Sequence, residues 1–217
     1  MHIFRLLLLL GISVATHTGF AQFNNSPMLN SPGRVNEYQA LEYDNQPYLN
    51  KEFKPGIVRL ADGRVYRGQL NFNAYTGQPE QLMKGAAYTI EMLIKEFRLG
   101  DSTVIFRSGF APVDKQNANS FYQVLYDGKT KLLEYHYAKA QELKKFNDAN
   151  VHIKFNLDTD HYLVKTDGSL VRIKRDKKSL LAALKDKASE MEAYFSKQPK
   201  LGNWQEVSQA IAYYDGL

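Results

Sequence analysis

The chain has 217 residues, a formal charge of +5 and no cysteine. The absence of cysteine removes disulfides, thiolate nucleophiles and thiolate metal sites together, and leaves no residue to carry a diacyl lipid anchor. The length suits one domain whose core can stand without covalent staples.

Met1–Ala21 has the parts of an export signal. Arg5 supplies the positive start, Leu6–Leu10 with Gly11-Ile12 the apolar run, and Gly19-Phe20-Ala21 a small-x-small cleavage site. The run breaks at Thr16-His17-Thr18, short of the roughly 20 apolar residues that a membrane span needs. Cleavage after Ala21 is therefore predicted, with a mature chain that starts at Gln22. The product is expected in the periplasm or outside the cell, and not as an integral membrane protein. Residues 22–46 are rich in Asn, Ser, Pro and Gly and read as a flexible leader; an edge strand around Tyr38–Tyr43 is the alternative.

From residue 47 the pattern becomes that of a single β-rich domain, 47–217. Gly56–Leu60 and Val65–Phe72 flank a turn at Asp62-Gly63. Glu80–Met83 and Ala87–Ile90 are broken by Lys84-Gly85, and Ile94–Leu99 and Thr103–Phe106 by Gly100-Asp101. Phe110–Asn119 has no periodicity and reads as a surface loop. Phe121–Tyr137 is the richest stretch, two aromatic and branched segments joined at Asp127-Gly128. Two-residue and bulged three-residue turns both suit that dipeptide, and they pair different residues. Ala138–Asn150 is ambiguous between a short helix and a polar excursion. Val151–Phe155, His161–Lys165 and Leu170–Lys174 read as three further strands, turning at Asp158-Thr159-Asp160 and Asp167-Gly168. Many short strands at this spacing predict a mainly β (α+β) fold, an antiparallel sandwich or barrel built of hairpins over about 47–175.

At Asp176 the period changes to 3.6. Leu181, Leu184, Ala188, Met191 and Phe195 share one face of a helix expected over 176–198, with Asp176 as N-cap and Pro199 as its stop. A second helix is expected over 203–214. Asn203 and Glu206 have capping-box spacing, and Trp204, Val207, Ile211 and Tyr214 form its stripe. Both helices must dock to bury their stripes.

No P-loop, G-x-G-x-x-G, H-E-x-x-H or G-x-S-x-G occurs, so no cofactor and no metal are expected and no catalytic residue is assigned. Asp158-Thr159-Asp160-His161 is the best local metal cluster, but turn chemistry accounts for its aspartates. Asp114 could be one carboxylate of a glycosidase pair or a turn residue after Pro112. Tyr122, Tyr126, Tyr135 and Tyr137 invite a sugar-stacking reading, although tyrosine is also a favoured strand residue. The clearest charge feature is Arg172, Lys174, Arg175, Lys177 and Lys178, a candidate anion patch where a strand meets a helix start. Nucleic acid is not expected as a partner, because no binding motif accompanies the charge.

Val58–Gly68 (VRLADGRVYRG), Phe106–Val113 (FRSGFAPV), Phe121–Leu133 (FYQVLYDGKTKLL), Lys174–Leu184 (KRDKKSLLAAL) and Ala212-Tyr213-Tyr214 resemble segments of a family of uncharacterised exported proteins of Bacteroidetes-type Gram-negative bacteria. The likeness covers most of the mature chain. It implies a place in the cell envelope and no catalytic residue. The expected function is a non-enzymatic envelope protein that binds a partner protein or a surface polymer. The alternative is a hydrolase acting on an envelope or extracellular polymer, with Asp114 and a tyrosine or histidine in a cleft.

Overall fold

The computed structural model describes residues 44–100, 103–144, 151–197 and 200–217. The expected export signal and the leader up to residue 43 lie outside them, as do Asp101, Pro199 and residues 145–150. Ten strands form one antiparallel sheet: β1 (Lys54–Leu60), β2 (Val65–Asn73), β3 (Gln78–Met83), β4 (Ala86–Thr89), β5 (Ile94–Leu99), β6 (Val104–Arg107), β7 (Tyr122–Asp127), β8 (Lys131–Lys144), β9 (Val151–Val164) and β10 (Leu170–Ile173). Their spatial order is β10-β9-β8-β7-β6-β5-β1-β2-β3-β4, so every neighbouring pair except β1–β5 is a sequence hairpin. The mainly antiparallel, hairpin-built fold with helices at the C-terminus is as expected. The sheet ends at β4 and β10 and is not closed into a barrel.

The turns follow the expected chemistry with one instructive exception. Gly63 and Gly168 sit at φ 88° and 81°, and Lys84-Gly85 at 49° and 83°, the left-handed values a tight hairpin needs. Gly128 is not among the positive-φ residues. Asp127 pairs with Lys131, so the loop holds three residues, and β7 carries a bulge between Val124 and Tyr126. Glycine leaves room there: a Cβ would press on the Asp215 carboxylate and the Tyr126 ring, which would have to shift. Asp215 accepts from Thr130 N (3.0 Å) and from Tyr126 Oη (3.1 Å), which clamps the chain's end onto this turn.

Two expectations about the long hairpin are overturned. Asp158-Thr159-Asp160 is not a turn: β9 runs unbroken through it, each residue opposite one of β8 from Lys131↔Val164 to Lys144↔Val151. Ala138–Lys144, read as helix or excursion, is the far half of β8. The turn preference of aspartate loses because cross-strand partners satisfy both side chains. Tyr137 Oη donates to Asp158 (2.9 Å), and Arg172 donates to Asp160.

The helix expected over 176–198 is broken. α1 (Lys177–Ala183) passes through a 3-10 turn at Lys185–Lys187 into α2 (Ala188–Lys197). The turn is held against the last helix, α3 (Trp204–Gly216), where Tyr214 Oη donates to Asp186 (2.7 Å) and Lys187 lies 5.1 Å from the Tyr214 ring centroid. Asp176 caps α1, accepting from Ser179 N at 2.7 Å. Asn203 caps α3, accepting from Glu206 N at 2.9 Å. Glu206 reaches back one residue further than a capping box, to Gly202 N (2.6 Å).

Alternation along β8 sorts the sheet into two faces. Leu132, Glu134, His136 and Ala138 share the inner face with Leu163 and His161; Leu133, Tyr135 and Tyr137 share the outer face with Tyr162, Asp160 and Asp158. The inner face holds two cores. One centres on the stacked rings of Phe72, Phe97 and Phe106, whose centroids lie 4.7 to 5.9 Å apart. The other buries Leu132, Leu163 and Ile173 under Leu180, Leu184, Met191, Phe195, Val207 and Ile211. The sheet rolls over the first core. Phe72 of β2 meets the His136 ring of β8 at 6.5 Å although four strands lie between them in the sheet, and Ala138 N donates to Ala74 O at 2.9 Å.

Residues 44–52 strap this roll. Asp44 N donates to Ile153 O (3.0 Å), Asn45 pairs both ways with Phe155, and Leu49 N donates to Phe72 O (2.9 Å). The strap covers the second half of β2, where Leu70–Asn73 is buried on both faces. Its polar groups are met by a buried set: Tyr48 Oη donates to Glu80 (2.6 Å), Asn73 donates to Glu80 (2.8 Å), and Asn71 donates to Asn50 O (2.7 Å). Asp44 and Asn45, at the end of the expected leader, are exposed and hydrogen-bond to β9.

Two outcomes follow for stability. A chain ended at Arg175 exposes Leu132, Leu163 and Ile173. Fully burying one large apolar side chain is worth about 1.5–3 kcal/mol against a total of roughly 5–15, so this truncation is expected to aggregate and to lose its cooperative thermal transition by calorimetry. Gly128→Ala must displace the Asp215 carboxylate and is expected to cost about 1–3 kcal/mol in urea unfolding.

Candidate binding cleft

A cleft of about 370 Å³ lies on the outer face, between β8–β9–β10 and the loop of residues 108–120. The loop is seated by Phe110, whose ring meets Tyr122 edge-on at 5.6 Å, and by Gly109 N, which donates to Ala118 O at 2.7 Å. Val113 and Gln116 bond each other across a two-residue tip, Asp114-Lys115. Asp114 takes φ 51°, a left-handed value that aspartate tolerates better than most residues. It is therefore a turn residue, as one reading held, and it also faces the cleft.

The opposite wall is aromatic. Tyr135 and Tyr137 stand side by side on β8, centroids 6.1 Å apart and 23° from parallel. Tyr162 projects from β9 with its ring at right angles to Tyr122. Tyr162 Oη donates to Asp114 at 2.8 Å and ties wall to loop. Burial, then that carboxylate, pushes the Tyr162 phenol up. Burial and the bond to Asp158 push Tyr137 up to about 12. Tyr122 lies behind the wall, fully buried, with no protein partner for its hydroxyl; burial, the neighbouring Tyr135 and the Asp114 charge raise it. Arg172 of β10 binds Asp160 and comes within 4.0 Å of Asp114, so one guanidinium serves both carboxylates.

The five cations of the candidate anion patch are divided by the fold. Arg172 faces the cleft carboxylates. Lys177 Nζ donates to Phe195 O (2.6 Å) at the end of α2. Lys174, Arg175 and Lys178 are exposed. Asp176 takes the Ser179 amide of α1 with its own side chain. The Asp158–His161 cluster is also divided, because alternation sends Asp158 and Asp160 outward and His161 inward. No group of three or more metal-ligating side chains occurs among the described residues.

His161 belongs to an inner-face site that sequence reading missed. Glu134 lies between His136 (3.4 Å) and His161 (3.1 Å), in the seam where the two cores meet. His136 Nε2 pairs with Gln123 (2.8 Å), and the His161 ring stacks on Trp204 at 3.5 Å. Burial would raise the Glu134 carboxyl, but bonds and charge from the two imidazoles outweigh it and bring the group down to about 2. The His161 end of the cluster is packed under Trp204 of α3 and the His136 end against Phe72 and Phe106, and none of the three side chains lines the cleft. The Glu134–His161 pairing depends on register across β8 and β9, and neither residue has a local motif that could have announced it.

Comparison with known proteins yields no match to a family model, to a curated protein or to a solved structure. No helix among the described residues is long and apolar enough to cross a membrane.

The Glu134 seam carries a pH signature. A carboxyl depressed from 4.5 to about 2 adds stability that is fully present above pH 4.5 and is lost as pH falls toward 2. Urea midpoints measured across that window are expected to drop steeply in the intact protein. Glu134→Gln, which cannot titrate, is expected to flatten the drop while lowering stability at neutral pH.

Proposed function

We propose that this is an exported, non-enzymatic protein of the cell envelope, which binds a partner protein or a surface polymer through the cleft between residues 108–120 and β8–β10. The observation that carries the reading is the composition of that cleft. Its lining is tyrosine, aspartate, glutamine, lysine and arginine, and both carboxylates in it are already engaged, Asp114 by the Tyr162 hydroxyl and Asp160 by Arg172. The expected signal at Met1–Ala21 and the resemblance to exported envelope proteins support the location.

The hydrolase alternative has one observation in its favour: Asp114 and Asp160 converge. A glycosidase pair, however, leaves room between its carboxyls for substrate or water. Here Arg172 reaches toward both, and the Tyr162 hydroxyl already donates to Asp114. Of the histidines, the other acid–base candidates, His136 and His161 face inward, and His152 lies near the start of β9 beside Asp44, outside the cleft lining.

Expression of the full chain in a Gram-negative host tests the reading. The product is expected in the periplasmic or external fraction with an intact mass that begins at Gln22, and Asp114→Asn with Asp160→Asn is expected to abolish no hydrolytic activity on envelope polymers, because the parent has none. A product that keeps Leu6–Leu10, or polymer hydrolysis lost in the double variant, would overturn it.

A further inference from the structure

We propose that the ligand of the cleft is an uncharged saccharide chain, gripped along one or two sugar units. The inference rests on the binding reading above and narrows it from any partner to one chemistry. Three features of the cleft carry it.

The first is what the lining lacks. Among the described residues no aliphatic side chain or phenylalanine lines the cleft; its apolar surface is that of Tyr135, Tyr137 and Tyr162 with the stems of its lysines and arginine. An acyl chain or the apolar anchor of a peptide would find no matching wall, since sites for such groups are lined predominantly by hydrophobic side chains. A sugar ring has apolar C–H faces and a polar rim, and tyrosine offers the complementary pair: an aromatic body and a hydroxyl.

The second is the charge balance. Asp114 and Asp160 face Arg172 directly, and the Asp158 carboxylate accepts from Tyr137 at the same wall. Lys139 Nζ lies 5.3 Å from the Tyr137 ring centroid, so this cation already has an aromatic partner. An anionic polymer would meet three carboxylates. A cationic ligand would meet three cations of the lining, Arg172, Lys139 and Lys115. A neutral polyol meets neither obstacle. Planar carboxylate, guanidinium and amide groups keep further acceptor and donor positions for vicinal hydroxyls, since a carboxylate accepts at about four sites and a guanidinium donates from five.

The third is shape and preorganisation. The volume of about 370 Å³ is at the small end of ligand sites, enough for part of a chain whose remainder continues over the open sheet face. The walls are pinned before any ligand arrives, by the Tyr162–Asp114 bond across the cleft and the Tyr137–Asp158 bond along it. Binding therefore orders few side chains, so little of the contact energy of one or two sugar units is lost to ordering.

The test is affinity electrophoresis of the full mature chain in native gels containing a neutral polysaccharide (a β-glucan, a xylan or a mannan) or an acidic one (alginate). Retardation by at least one neutral polymer is expected, unchanged when salt is raised to about 0.5 M, where surface charge is largely screened. Tyr137→Ala is expected to weaken it about tenfold or more, the effect of losing on the order of 1.4 kcal/mol. Tyr137→Phe keeps the ring and is expected to retain most of it. Lys139→Ala, at an exposed position, serves as a second cleft variant, and thermal unfolding of each variant checks that the fold is intact. Retardation by alginate alone, abolished by salt, would be the non-specific work of the chain's net positive charge and would overturn the proposal. If no polysaccharide retards the protein but cleft variants release it from isolated envelopes, the saccharide is wrong and the binding role stands. If cleft variants change neither, both fall.

Discussion

The unbroken register between β8 and β9 is the constraint on which the rest of this structure depends. Each residue of one strand faces one residue of the other over the whole length of both, and side chains alternate between the faces. Leu132 and Leu163 therefore meet the helices, Glu134 meets His161, and Tyr135 meets Asp160 on the far side. A slip of one residue in either strand would exchange that strand's faces, sending Tyr135 and Tyr137, or Tyr162, into the apolar interior and taking Leu132 or Leu163 away from the helices. The apolar burial under α1–α3 opposes any such slip, so the packing of one face positions the polar groups of the other.

The inner face is not uniformly apolar, and its polar groups sit where the architecture changes. Glu134, His136 and His161 occupy the seam between the aromatic core inside the rolled sheet and the core under the helices. The Asn71, Asn73 and Glu80 side chains mark the other change, where the strap of residues 44–52 replaces β1 alongside β2. Buried polar groups are costly unless satisfied, and a satisfied set tolerates few alternative arrangements. At the strap hydrogen bonds fix how two pieces meet, and at the seam the Glu134 carboxylate between two imidazoles does, a task that non-directional apolar contact performs poorly.

The outer face divides along the same sheet. Across β5–β8 it carries an alternating row, with Arg98 and Arg107 on Glu96, and Arg107 and Lys131 on Asp127. Burial opposes the charged form of Glu96, but its two arginines hold it below the ordinary carboxylate range. Across β8–β10 the charges give way to tyrosines, and the loop of residues 108–120 folds over to make a wall. There aromatic rings, carboxylates and a guanidinium converge in a concavity. The charged row is a run of partly buried ion pairs satisfied among themselves, whereas the cleft is a concavity.

The sequence by itself determined the class of fold and much of its punctuation. Asp62-Gly63, Lys84-Gly85 and Asp167-Gly168 make hairpins because glycine supplies the left-handed backbone such turns need, and Asp176 and Asn203 cap helices because their side chains accept the free amides. These are local effects, complete within a few residues. What only the tertiary structure decided depends on partners far apart in the chain. Asp158 and Asp160 became strand residues because Tyr137 and Arg172 met their carboxylates. Gly128 leaves room for the chain's end, which lies against it. The helix over 176–198 broke where its residues found Tyr214. Tyr135 and Tyr137 were visible in the sequence, but their union with Asp114, Asp160, Tyr162 and Arg172 was not, since a cleft is made by strand register and loop closure, and neither is encoded at any single position.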